Sequence, residues 1–94
     1  MLPAFEWDPD KARRNFRKHR IHFAEAVTVF HDPWARFRDD PAHSGAEERG
    51  KIIGYSNYNR LLAVIFTERY ESIRIISAWK ATTSEKAADG EDHR

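Results

Sequence analysis

The sequence predicts a small α+β domain, with two N-terminal helices packed on a curved antiparallel sheet and a short C-terminal helix. The expected order is β-α-α-β-β-β-β-α. Three stretches carry that expectation. Leu61 to Phe66 is an unbroken apolar run, too short for a comfortable helix and rich enough in β-formers for a strand buried on both faces. Ile73 to Ala78 is a second apolar run, set beyond the polar break Thr67-Glu68-Arg69-Tyr70-Glu71; two such runs read as a β-hairpin. Phe23, Ala26, Val27 and Phe30 recur at i, i+3, i+4 and i+7, one helix face turned toward a core.

The other elements follow in chain order. Phe5-Glu6-Trp7 is a short strand. Asp8-Pro9-Asp10 starts a helix: Asp8 can cap free amides, Pro9 suits the first helical position, and Asp10 favours the positive end of the dipole. That helix runs to about His19, with a thin apolar stripe of Ala12 and Phe16 and a strongly cationic outer face. The second helix spans Ile21 to Phe30 and ends at Asp32-Pro33. Trp34 to Arg38 alternates as a strand, and residues 39–47 form a turn-rich loop. Arg49 to Ser56 reads as a strand weakened by Gly50 and Gly54. Asn57-Tyr58-Asn59 connects to the strand at Leu61. Thr82 or Thr83 caps a helix over Ser84 to Ala88, and residues 89–94 form a frayed tail.

At 94 residues the chain is expected to be one domain, 1–94, burying only about 60–65% of its unfolded surface. Hydrophobic residues at 40% and aromatics at 13% suffice for a core. The absence of cysteine removes disulfide and thiolate chemistry and suits a reducing cytoplasm. With no signal peptide and no apolar run of membrane length, a soluble cytoplasmic protein is expected. The net charge of +1 hides a local asymmetry, with Lys11, Arg13, Arg14, Arg17, Lys18 and Arg20 clustered without an acid between them. This helix face reads either as a solvated surface or as a site for RNA phosphate or an acidic partner.

Arg74 is the unusual residue, a permanent charge set into an apolar strand. Simple alternation places Arg74, Ile76, Ala78 and Lys80 on one face, and Ile73, Ile75, Ser77 and Trp79 on the other. Arg74 is then either ion-paired with Glu68 or Glu71, or held rigidly to meet an anion. The five histidines show no metal-ligand spacing, and neither a phosphate-binding glycine loop nor a serine elbow occurs. What remains are cations at Arg49, Arg69, Arg74 and Lys80, with Glu48, Glu68 or His43 as proton carriers. Such a set suits RNA cleavage without metal, in which cations stabilise a pentavalent phosphate and side chains move two protons.

The segment TERYESIRIISAWKAT resembles the signature of the BrnT toxins of bacterial type II toxin–antitoxin pairs, "TER…RIISARKAT". The opening FEWDPDKARRNFRKHRIHFAEAVTVFHDP is similar to that family's "FEWDxxKxxxNxxKHGVxFEEAxxVFxDP", and HSGAEERGKIIGYS and RLLAVIFTER follow in the family's order. The likeness covers residues 5 to 84. It implies a RelE-like ribonuclease fold, metal-independent endoribonuclease activity against RNA without a cofactor, and neutralisation by a BrnA-like ribbon-helix-helix antitoxin in a 2:2 heterotetramer. Operator DNA is then reached only through the antitoxin. The catalytic set on this reading is Arg49, Glu68, Arg74 and Lys80, with Lys18, His43, Arg69 and Trp79 contacting RNA. Two departures stand out: Trp79 replaces the arginine of the family's SARKAT, and Arg20 replaces the glycine after KH. The first opens an alternative, a weakened or inactive homologue that acts as an antitoxin-binding co-repressor.

Overall fold

Asp8 opens the first helix as its chemistry dictates. In a computed structural model describing residues 4–39 and 49–90, the Asp8 carboxylate accepts the Lys11 N–H at 3.0 Å, and Pro9 begins α1 (Pro9–His19). The helix ends where Arg20 turns to φ 62°, its N–H donating to the Phe16 carbonyl. Glycine adopts this left-handed conformation without steric cost, whereas Arg20 adopts it with a Cβ penalty. The Arg20 guanidinium lies over the Phe16 ring, 5.5 Å from its centroid.

Helix α2 (Phe23–Thr28) runs into a 3-10 turn at Val29–His31, so the expected helix from Ile21 to Phe30 is shorter and tighter at its end. Asp32 then ties that end to the sheet by accepting the Trp34 and Tyr55 N–H groups at 3.0 and 2.8 Å. The strands are β1 (Ala4–Glu6), β2 (Arg36–Asp39), β3 (Gly50–Tyr55), β4 (Leu61–Arg69) and β5 (Ser72–Lys80), followed by α3 (Thr83–Gly90). Asp89 and Gly90 thus belong to the last helix rather than to a tail. Most of the expected loop 39–47 lies outside the described residues, while Asp39 itself ends β2.

The strands form one sheet in the order β1-β5-β4-β3-β2. Four of them are antiparallel neighbours, but β1 runs parallel to β5, pairing Ala4 with Ser72 and Glu6 with Arg74. The wholly antiparallel sheet expected from the sequence is corrected there. A three-residue edge strand carries no signal for the direction of a partner almost seventy residues away. A second correction concerns the hairpin. β4 continues through Thr67 to Arg69, so the polar break narrows to Tyr70 and Glu71, with Tyr70 at φ 37°.

The core lies between the helices and one face of the sheet. Ile21, Phe23, Ala26 and Val29 meet Ile52, Leu62, Val64, Phe66, Ile75 and Ala78. Gly54 faces this layer closely: a Cβ there would stand 2.8 Å from the Ala35 Cβ, so the glycine permits close packing. A register shift between Ile65 and Phe66 leaves Ile76 unpaired on β5. Because of that bulge, simple alternation fails along β5. Ile73, Ile75, Ala78 and Lys80 share the helix-side face, whereas Arg74, Ser77 and Trp79 face the other way.

Two buried polar groups hold these layers together. Asn15 of α1 lies beside β5 past the end of β1, where its Nδ2 donates to the Ala78 and Ile21 carbonyls at 2.9 and 3.0 Å. Its Oδ1 accepts from the Ala78 N–H at 3.0 Å and from the Ser77 hydroxyl. The side-chain amide thereby takes the place of a neighbouring strand's peptide group. Glu25 of α2 accepts from the Ser56 hydroxyl at 2.6 Å and from the Arg60 guanidinium, clamping the β3–β4 connection onto the helix.

Burial pushes the Glu25 pKa up, but the Arg60 and Ser56 hydrogen bonds outweigh it and hold the pKa below the ordinary 4.5. A depressed folded pKa means that the unfolded chain takes up the proton first as the pH falls. The Glu25 contribution to stability is therefore complete above the ordinary value and is lost as the pH drops through the folded one. Denaturant unfolding followed against pH should show this acid limb, and Glu25→Gln should flatten it while lowering stability at neutral pH.

Candidate functional site: the second face of the sheet

The second face of the sheet carries the charge. Register places Arg36, Arg38, Lys51, Arg74 and Trp79 there, above Ile53, Ala63, Ile65 and Thr67, all of which are buried. Extending the β3–β4 pairing by one residue beyond Gly50 and Phe66 sets Arg49 opposite Thr67, and Thr67 is itself paired with Arg74. By that extension Arg49, the residue before β3, falls in one row with the Thr67–Arg74 pair, the two arginines about 10 Å apart at the backbone from strand spacing alone. The Thr67 hydroxyl, in the centre of that row, is buried without a hydrogen-bond partner. Arg69 lies on the same face near the hairpin.

Arg74 is paired, but with neither acid expected from the sequence. Its Nη1 donates to Glu6 at 2.8 Å, across the parallel β1–β5 contact, and Ser72 donates to the same carboxylate. The Arg74 hydrogen bond, then that of Ser72, lowers the Glu6 pKa, so Glu6 is a fixed anion that orients the guanidinium. Sequence reasoning missed Glu6, because nothing local to β1 shows that it lies beside β5.

A second cluster sits over β3 and β5. Glu85, in the first turn of α3, ion-pairs with Lys51, accepts the Trp79 Nε1–H at 3.2 Å and accepts the Thr82 N–H at 2.7 Å. Burial pushes the Glu85 pKa up, but Lys51, Thr82 and Trp79 more than compensate and lower it. Lys51 also lies 5.5 Å from the centre of the Trp79 ring, and the His19 ring is 6.1 Å from Trp79 on the α1 side. Thus α3 covers part of this face, opposite to α1 and α2. Lys51 and Glu85 were also missed; Lys51 beside Arg49 on an alternating strand was the available signal.

Glu68 and Lys80 are not brought to this cluster. Each pairs across from a helix-side residue, Glu68 with Ile73 and Lys80 beside the buried Leu62, at opposite ends of β4. Six residues of strand separate those ends, about 20 Å. Lys18 lies on α1, in a separate groove. His43 and Glu48 fall outside the described residues. Among the described residues, no three His, Cys, Asp or Glu side chains are grouped to hold a metal ion, and no helix is long and apolar enough to cross a membrane.

Helices α1 and α2 on one side of a five-stranded sheet, and on the other an array of cations that α3 partly covers, define a small α+β protein suited to a polyanion. The solved structure of the Brucella abortus ribonuclease toxin, BrnT, is similar, with 26% sequence identity and a TM-score of 0.66 over 88% of this chain and 100% of that one. The family described as "Ribonuclease toxin, BrnT, of type II toxin-antitoxin system" matches residues 7–85. The chain belongs to this family of ribonuclease toxins, and such membership implies an antitoxin partner. No curated protein matches the chain.

Proposed function

We propose that this protein is a metal-independent endoribonuclease that inhibits translation by cutting RNA. The 2′-hydroxyl oxygen attacks the adjacent phosphorus and the bond to the 5′-oxygen breaks. The products are a 2′,3′-cyclic phosphate and a free 5′-hydroxyl. The observation that carries this reading is the Thr67–Arg74 pair with Lys51 one row away, beside which the extended β3 register sets Arg49. Two guanidiniums flanking one position can stabilise the dianionic pentavalent phosphate from both sides. The orphaned Thr67 hydroxyl beneath them gains an acceptor when a phosphate oxygen approaches. Glu6 acts by positioning Arg74.

On the same reading the fold is RelE-like. A BrnA-like ribbon-helix-helix antitoxin covers the cationic face in a 2:2 assembly and alone contacts operator DNA. The test is cleavage of single-stranded RNA by purified, folded protein in EDTA. Cutting to cyclic-phosphate ends is expected; intact RNA at high protein concentration sinks the reading.

Trp79 supports a second reading. It stands where the family's pattern has arginine, and it is fixed by Glu85 and Lys51 rather than open to phosphate. A guanidinium lost from a phosphate-facing position costs about 2–4 kcal/mol of transition-state stabilisation, enough to leave a weak nuclease that serves mainly as the antitoxin's co-repressor. Expression in a bacterial host separates the two. If the wild type is harmless and Trp79→Arg arrests growth, the co-repressor reading holds; arrest by the wild type itself removes it.

A further inference from the structure

An open groove of about 260 Å³ runs between α1 and the outer edge of β5, away from the Arg49–Arg74 row. Lys11, Arg14, Lys18 and His19 line it from the helix, and Ile76 and Ser77 from the strand; among the described residues no carboxylate lines it. Lys11 and Lys18 are two turns apart, about 10 Å along the axis. This is a track of positive charge rather than a point. Its floor is the Ile76 bulge, and Asn15 occupies both the N–H and the C=O of Ala78. The strand edge therefore offers no ladder there, so a peptide cannot add as another strand.

His19 links the groove to Trp79, which stands between it and the sheet face. His19 belongs to the groove lining and approaches Trp79 from one side, while Lys51 lies on the ring from the sheet side. An aromatic ring, held in place by Glu85, at the end of a cationic track is an arrangement that can hold a single nucleic-acid strand without reading its sequence. We propose that this groove binds the phosphodiester backbone of single-stranded RNA flanking the cut and leads it past Trp79 onto the sheet. The inference rests on the nuclease reading only for what happens at the sheet end.

The test compares wild type with Lys11→Gln/Arg14→Gln on a long fluorescein-labelled single-stranded RNA and on the shortest fragment of it that the wild type still cuts. On the long RNA, kcat/KM should fall about tenfold through KM, and the log–log salt slope should flatten by about 1.4, roughly 0.7 for each phosphate contact removed. The short fragment should be cut at the wild-type rate. Equal loss on both substrates, or no loss on either, overturns the proposal. So does unchanged cleavage with weakened binding of the antitoxin, which would assign the groove to an acidic protein surface. If the wild type cuts neither RNA, the nuclease reading fails separately, and fluorescence anisotropy of the long RNA decides the groove. Salt-dependent binding weakened by the double substitution upholds it, and binding indifferent to the substitution overturns it.

Discussion

Arg74→Ala is expected to lower RNA cleavage by about 10²–10³-fold, the usual consequence of removing one preorganised donor from a developing anion. Arg74→Lys should recover little, because a point charge cannot reproduce a planar fork already aligned by Glu6. Stability should change little, since the Arg74–Glu6 pair is solvent-accessible on both sides and screened. Arg49→Ala, across the same row, should cost a similar factor. The double substitution should cost less than the product if both arginines act on one phosphate. Lys80→Ala is the informative control: on the opposite face it should leave cleavage almost unaltered. Single-turnover cleavage and thermal unfolding measured on each variant decide the matter. Wild-type cleavage by Arg74→Ala would remove the row from the site.

The parts of the fold governed by local chemistry were legible in the sequence. Asp8, Pro9 and Asp10 fix a helix start through contacts within four residues, and the period of Phe23, Ala26 and Phe30 predicts a buried face whatever lies beneath it. Leu61 to Phe66 likewise had to be a covered strand. What escaped depended on register. The bulge at Ile76 exists only relative to β4, yet it decides that Arg74 and Lys80 part company. The Arg74 partner was invisible for the same reason, since Glu6 reaches it only through a parallel pairing between the ends of the chain. The candidate site was thus half legible: Arg49, Arg69, Arg74 and Trp79 were found from their unusual settings and from the family's pattern. Glu6, Lys51 and Glu85 were not, because each looks like an ordinary surface charge until the strands are placed.

Asn15→Ala should destabilise the protein more than any other single change to α1, by about 3 kcal/mol or more. In sequence Asn15 sits in a run of arginines and lysines and reads as part of a solvated face. In the structure it is buried, and its amide serves four groups on two other segments: the Ile21 carbonyl, the Ser77 hydroxyl, and both the N–H and C=O of Ala78. Truncation leaves the Ala78 groups and the Ile21 carbonyl without their partner, at about 1–3 kcal/mol for each buried group left unmade. Partial access of water from the neighbouring groove lowers that sum. Asn15→Asp discriminates further: it keeps size and the acceptor, but sets a carboxylate oxygen against two carbonyls in place of their donor. If the amide acts as a surrogate strand, aspartate should be as damaging as alanine at neutral pH and should recover part of the loss in acid, where a protonated carboxyl can donate again. Urea unfolding of the three proteins at neutral and mildly acidic pH makes the comparison. An Asn15→Ala protein within 1 kcal/mol of wild type would mean that β5 does not depend on α1 for its edge.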